Sequence, residues 1–298
     1  MNSPYQTRTA PQIFDRQLLY KRHQRAAPYF ADHDFLHQLI AEDIVDRLET
    51  VMRSFPAALF TGPGSSILKE AITDNCSVGS ITSRDTLLIC EENKGTYEQN
   101  FLNEELAAEP TTLNLVISMM ELHAMNDLPG YLLQARRALK PDGLFVAALP
   151  AEDTLQELRQ SLYTAETELT GGVSPRVHPF SGLKDLGALM QRAGFTLPVA
   201  DIIRIPVTYR EPARLLEDLR YMGETNVLSN RKTGGLGRQL LLRALEIYKQ
   251  KFLAPKSDGV TASFQIAMLT GWAPHDSQQK PLKAGSAKAS LEKAIRKL

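Results

Sequence analysis

The sequence predicts an α/β chain: a doubly wound, mostly parallel sheet, with a helical N-terminal extension and inserted helices in its second half. Two observations predict it. Short apolar runs bounded by turn residues alternate with segments of helical spacing over residues 57–148, and strand, helix, strand in that order implies a parallel sheet with right-handed crossovers. The run Ala58-Leu59-Phe60-Thr61-Gly62-Pro63-Gly64-Ser65-Ser66 reads as a strand entering a glycine turn and then a helix. Many α/β enzymes hold a nucleotide-like ligand at such a turn, because glycine lets backbone N–H groups approach it closely. The 298 residues are 43% hydrophobic, enough for a sizeable core.

Residues 13–53 read as helical, with Phe35, Leu36, Leu39, Ile40, Ile44, Val45 and Leu48 at helical spacing and Pro28 dividing the region into two helices. The first, rich in Arg and Lys, is either a lid or partner surface or a helix packed on the core. Ala57–Thr61 is an apolar strand, Gly62-Pro63-Gly64 a turn and Ser65–Asp74 a helix. Val78–Thr82 is a weak second strand, and Thr86–Cys90 is a helix start or an additional strand. Residues 91–110 are polar and poorly patterned. Leu113–Met119 is a buried strand, Leu128–Leu139 a helix, Lys140–Gly143 a turn and Leu144–Ala148 a further buried strand. A helix over Thr154–Glu168 takes Asp153 or Thr154 as its N-cap. The loop GGVSPRVHPF (Gly171–Phe180) precedes a helix over Gly182–Gly194 with a glycine stop. A strand at Asp201–Tyr209, helices at Pro212–Met222 and Gly237–Phe252, and a strand at Ala262–Gly271 complete the pattern. The chain therefore divides into an extension (1–53), an α/β domain with helical insertions after residue 150 (54–272) and a tail expected to be mobile (273–298).

Lys+Arg and Asp+Glu both number 34, so no global basic field points to nucleic acid. The basic stretches Arg16–Arg25 and Lys280–Lys297 read as a solvated helix face and a tail. Cys76 and Cys90 have no CxxC spacing and no Cys/His cluster, which argues against zinc and suits a reducing compartment. His33 and His37 are spaced i, i+4 without a third ligand, so no metal is expected. Ser65 and Ser66 lack the GxSxG frame of a hydrolase nucleophile. No apolar run reaches the roughly 18 residues of a membrane span, and the first residues lack a secretory apolar core. The reading is a cytoplasmic protein if bacterial.

Several phrases carry a family resemblance. ELHAMNDLP (Glu121–Pro129) and ALKPDGLFVAAL (Ala138–Leu149) resemble the segments around the fourth and fifth strands of class I S-adenosylmethionine (SAM)-dependent methyltransferases of type 11. A narrower resemblance covers nearly the whole chain. IFDRQLLYKRHQRAA (Ile13–Ala27), EDTLQELRQSL (Glu152–Leu162), GGVSPRVHPF, DLGALMQRAGF (Asp185–Phe195), LLEDLRYMGETN (Leu215–Asn226) and SFQIAMLTGW (Ser263–Trp272) occur in that order. They resemble the NADH:ubiquinone oxidoreductase complex assembly factor 5 family and its alphaproteobacterial relatives, which are related to the malonyl-carrier-protein O-methyltransferases. The resemblance implies a Rossmann-like sheet, SAM as cofactor and a protein partner or substrate, with an arginine of a complex I subunit as the target of the mitochondrial member. It implies the mitochondrial matrix if the chain is eukaryotic.

Against the family's LDLGCGRG, this chain reads LFTGPGSS over Leu59–Ser66. Phe60 replaces the acid, Ser66 replaces the last glycine, and Pro63 removes an N–H donor. The resemblance assigns Thr61, Gly62, Pro63 and Gly64 to the cofactor turn. Thr82 and Ser83 are the nearest matches to the ribose-binding acid, with Asp85 beyond the strand end. Asn103 or Glu104 falls at the adenine site, Ser118 and Met119 close the family's fourth strand, and His123 follows it near the methyl group. Asn114 stands where an acid often opens that strand. Losing a charge-assisted carboxylate–diol interaction weakens binding by roughly 1.5–3 kcal/mol. Two readings stay open, a cofactor loop and a tight strand-to-helix turn.

The resemblance also places Asp153, Glu157, Arg159, Arg176, His178, Arg220, Glu224 and Asn226 in phrases expected to meet substrate or partner. Arg220 and Glu224, one helical turn apart, have a surface ion pair as the plainer alternative, and His123 a structural role. No catalytic residue is identified. Three functions follow: a methyltransferase-fold enzyme acting on a protein target, a non-catalytic assembly protein that kept the fold and the partner face, and, third, a small-molecule or acyl-carrier O-methyltransferase.

Overall fold

The computed structural model describes residues 11–72, 78–87, 94–255 and 257–279. Six strands form one sheet in the order β2-β1-β3-β4-β6-β5: β1 (Phe55–Thr61), β2 (Val78–Arg84), β3 (Leu113–Met119), β4 (Leu139–Pro150), β5 (Thr196–Tyr209) and β6 (Val260–Trp272). β1 pairs in parallel with β2 and β3, and β3 with β4; β6 alone runs antiparallel, between β4 and β5. Strand order reverses at β1, so the carboxyl ends of β1 and β3 flank the crevice where such sheets bind ligands.

Both faces of the central strands are covered, which is why they read as unbroken apolar runs. Phe60, Leu115, Ile117 and Val146 face one core with α2 (Phe35–Glu49), α3 (Ser65–Ile72), α6 (Gln156–Thr170), α8 (Pro212–Tyr221) and α9 (Arg238–Lys251). Leu59, Val116, Phe145 and Ala147 face the other with α5 (Leu128–Ala138) and α7 (Leu183–Arg192). α1 (Arg16–Ala26) starts at Asp15, whose carboxylate accepts the Leu18 N–H at 2.9 Å. A 3-10 turn over Ala27–Asp32, entered at Pro28, separates it from α2. No helix among the described residues is long and apolar enough to cross a membrane.

The structure corrects several element boundaries. β2 runs on to Arg84. α4 (Lys94–Leu102) fills part of the stretch read as unpatterned; Phe101 is its buried anchor. β4 begins at Leu139, so Lys140–Gly143 lies inside the strand as an irregularity with Asp142 at φ +63°. Neither Asp153 nor Thr154 caps α6. Leu155 stands at its N-cap in the left-handed region, and the Thr154 hydroxyl instead bonds the Gln265 backbone of β6. The start of the tail is pinned, Ala273 donating to the Gly143 carbonyl and Gln278 bonding Asp142. The end of the helix read as Ser65–Asp74, the stretch ending at Cys90, Cys76 and Lys280–Lys297 fall wholly or partly outside the described residues.

Candidate functional site

The crevice at the ends of β1, β2 and β3 is closed by its own side chains. Gly62 sits at φ +96°, and a Cβ there would stand 2.0 Å from the Met119 carbonyl oxygen. A Cβ at Gly64, at φ +77°, would stand 2.9 Å from both the His37 ring and the Met119 methyl. Both glycines are therefore required by close packing on β3 and α2. The Gly62 N–H donates to the Arg84 carbonyl, and the Ser65 and Ser83 hydroxyls meet at 3.0 Å. Asp85, just past the strand end, is committed to structure: it accepts the Ser66 N–H and hydroxyl and the Leu87 N–H.

Arg16 reaches into this crevice from α1. Its guanidinium lies 3.9 Å over the Phe101 ring, donates to the Phe101 and Ala124 carbonyls and stands 3.5 Å from Glu104. The solvated face expected for the Arg16–Arg25 stretch does not hold here, since Arg16 is buried. Burial lowers its pKa, with Glu121 and Glu104 opposing. Glu104 accepts the Asn126 and Asp127 N–H groups at 2.7 Å each, and the Arg84 guanidinium turns to the Leu106 and Ala107 carbonyls. The Thr61 and Tyr131 hydroxyls meet at 2.8 Å. Burial pushes the Tyr131 phenol up, and Glu121 beside it adds to that. Burial also raises the Glu121 carboxyl, against Arg16 and Thr61, and its Oε2 has no hydrogen-bond partner. The cavity left among these groups is ≈ 20 Å³, room for about one water.

Behind the glycine turn lies a cluster of buried imidazoles around one carboxylate. His123 Nε2 pairs with Glu224 at 2.8 Å, and the His123 and His178 rings are 6.0 Å apart. His178 Nε2 accepts the Val227 N–H. Neither ring nitrogen of His23 or His37 has a partner. Burial lowers His23 and His178 to about 4 and lowers His37 as well. Burial alone would raise Glu224, but His123, His23 and His178 outweigh it and hold the carboxyl at about 2. No group of three or more His, Cys, Asp or Glu side chains among the described residues is arranged to hold a metal ion.

Of the residues assigned to the cofactor, the structure brings Thr61 to the crevice and buries Gly62, Pro63, Gly64, Ser118 and Met119 behind it. It does not bring Thr82, Ser83 and Asn103 there. Thr82 is exposed and two positions short of the strand end, Ser83 is tied to Ser65, and Asn103 is exposed beside Glu105. In the second set, Arg220 is exposed and Glu224 swings inward to His123, so the two form no surface pair. Glu157 anchors Ser263 of β6, Asp153 is exposed with its carboxylate 3.5 Å from the Gln265 amide, and Asn226 holds the Pro175 carbonyl. Arg159, Arg176 and His178 line an open cleft. Arg16, Glu121 and Tyr131 were missed at the crevice. The one signal was Arg16 sitting one residue past a helix-capping Asp.

A methyltransferase-domain family matches residues 35–198. The arginine-hydroxylase NDUFAF5 of Mus musculus, a mitochondrial protein, is 40% identical over 287 residues, covering 94% of this chain and 82% of its own. The malonyl-[acyl-carrier protein] O-methyltransferase of Gallionella capsiferriformans is 24% identical, covering 88% and 92%. The phosphoethanolamine N-methyltransferase 2 of Haemonchus contortus, solved with S-adenosylhomocysteine, resembles the structure at 12% identity and a TM-score of 0.48, over 89% of this chain and 61% of that one. The chain belongs to the NDUFAF5 family of class I SAM-dependent methyltransferase-fold proteins.

Proposed function

We propose that this chain is an assembly-factor protein that acts on a protein target and does so by binding it, without SAM chemistry. The observation that carries this reading is the closed crevice. SAM needs a backbone cradle at the glycine turn, an acid for the ribose diol and an open trough for the ring. Here the turn is packed on Met119 and His37, Asp85 and Glu104 are bound to backbone and side-chain donors, and ≈ 20 Å³ remain. The residues present do not fit the cofactor. By family the target is a subunit of complex I, in the bacterial cytoplasm or the mitochondrial matrix.

Calorimetric titration of the full chain with SAM and S-adenosylhomocysteine tests this. No heat up to millimolar ligand, in protein that melts cooperatively, supports it. Micromolar binding overturns it.

A second reading, arginine-directed catalysis as in the relatives' name, is favoured by one observation. The crevice already accommodates a guanidinium, that of Arg16, between the Phe101 ring and the carboxyl groups of Glu104 and Glu121. Mass spectrometry of a target subunit incubated with the chain tests it: a mass gain confined to one arginine is required.

A further inference from the structure

A second cleft, sharing no lining residue with the crevice, opens between α6, the Ser174–Pro179 loop, the N-terminal segment at Ile13 and the segment after Val227. Its volume is ≈ 530 Å³, within the range of ligand sites.

Its charge is one-sided. Arg159 and Arg176 line it and, among the described residues, no carboxylate does. Arg176 makes a bidentate pair with Glu166 at 2.9 and 2.8 Å, but Lys232 claims the same carboxylate at 2.8 Å. Two cations on one anion leave that group a positive charge in excess. Arg159 donates only to the Glu152 and Thr154 carbonyls, at 3.3 and 3.4 Å, and has no carboxylate partner among the described residues. Nearby, Arg22 binds the Asn226 carbonyl; burial lowers its pKa, and Arg231 and Arg25 lower it further, with Asp15 alone opposing.

The cleft also carries apolar surface. Ile13 is 46% and Tyr163 48% exposed, and Pro175 and Pro179 add ring faces that cannot donate. The walls are held in place: Glu166 accepts the Ser174 N–H and hydroxyl, Asn226 holds the Pro175 carbonyl, and His178 accepts the Val227 N–H. A site formed in advance loses little ordering entropy on binding. A small anion would be met by converging donors. Guanidinium combined with exposed ring and aliphatic surface suits a chain segment that presents carboxylates and apolar side chains together.

We propose that this cleft binds an acidic, extended segment of a protein partner, with its carboxylates on Arg159 and the Arg176 edge and its apolar side chains on Tyr163 and Ile13. This rests on the partner-binding reading above and names the chemistry of the partner.

The test is fluorescence anisotropy of a fluorescein-labelled decapeptide alternating glutamate and leucine, titrated with the full chain. A lysine–leucine decapeptide is the control, and succinate the competitor. The glutamate–leucine peptide is expected to bind, more weakly as salt rises, and the lysine–leucine peptide is not. Arg159→Glu is expected to weaken binding about tenfold or more, with Arg159→Lys close to the parent and both melting like it. Arg159 is chosen because it bonds only to carbonyls, whereas loss of Arg176 would strand Glu166. Tyr163→Ser is expected to weaken binding several-fold without changing its salt dependence. Failure of the glutamate–leucine peptide to bind, equal binding of the lysine–leucine peptide, or no change on Arg159→Glu overturns the proposal. Displacement by succinate at peptide-like concentration also overturns it, by making the site one for small anions. None of these results touches the closed crevice, which the SAM titration decides separately.

Discussion

The crevice and the open cleft are both built around buried or half-buried guanidinium–carboxylate chemistry, and they differ in how it is balanced. At the crevice Arg16 faces two carboxyl groups and two carbonyls, and Glu104 accepts three further N–H groups; Arg16 Nε and Glu121 Oε2 are left without hydrogen-bond partners beside about one water's space. At the cleft two cations share Glu166, and Arg159 has no carboxylate partner among the described residues. A site whose charges are matched from within has little left to offer a ligand. A site with cations in excess and open volume has both attraction and room. The position that the fold reserves for a cofactor is thus the sealed one, and the inserted elements carry the open one.

Acid is the strongest expected way to break the buried imidazole cluster behind the sealed crevice, whose His178 also borders the open cleft. His23 and His178 stay neutral when folded down to about 4, against 6.5 when free. The unfolded chain therefore binds more protons between these values, so their contribution is full above about pH 6.5 and is lost as pH falls to 4. Each is worth on the order of 3 kcal/mol. Glu224, held at about 2, adds a further loss below 4.5. Thermal melts across pH 8 to 4 are expected to be flat at first and then to fall steeply, and His23→Leu to remove about one proton from the slope. A flat profile throughout would mean that the imidazoles see water and the cluster is open.

Gly62→Ala comes next. The new Cβ would meet the Met119 carbonyl in a positive-φ conformation, at a cost of about 4 kcal/mol read by denaturant unfolding. Tolerance of alanine would mean that the turn can move, which returns the cofactor-loop reading. Arg16→Ala follows at about 3 kcal/mol, because it strands Glu104 and Glu121. Calorimetry sharpens that result: continued absence of SAM binding is expected, whereas SAM binding by this variant alone would make Arg16 a plug over a working site.

What was legible in the sequence is what depends on local pattern. β1 and β3 are apolar runs buried on both faces, and Gly62-Pro63-Gly64 announces a tight turn whatever fills it. α4 was not legible, because KGTYEQNFL carries little periodic apolar signal and is fixed by Phe101 under Arg16. Nor was Arg16 itself, whose partners Glu104 and Glu121 are far away in sequence and which opens a run of basic residues that reads as a solvated face. Helical spacing paired Glu224 with Arg220, but α8 stops at Tyr221 and Gly223 turns left-handed at φ +83°, carrying Glu224 inward. A Cβ at Gly223 would stand 2.6 Å from His23. One residue's backbone conformation thus converts an apparent surface pair into the anchor of a buried cluster.

The smallest expected effect bears most directly on the ribose-binding acid. Asp85 stands one residue past the end of β2, close to where such an acid belongs, yet both its oxygens are spent: Oδ2 on the Ser66 N–H and hydroxyl, Oδ1 on the Leu87 N–H. A carboxylate at the start of α3 also meets the positive end of the helix. Asp85→Asn keeps the shape, replaces one acceptor by a donor and removes the charge, so a loss of about 1 kcal/mol is expected by denaturant unfolding, with no change in the heat of SAM titration. The opposite pattern, unchanged stability with loss of a measurable SAM signal, would show that Asp85 leaves Ser66 to serve a ribose and that the crevice opens in solution.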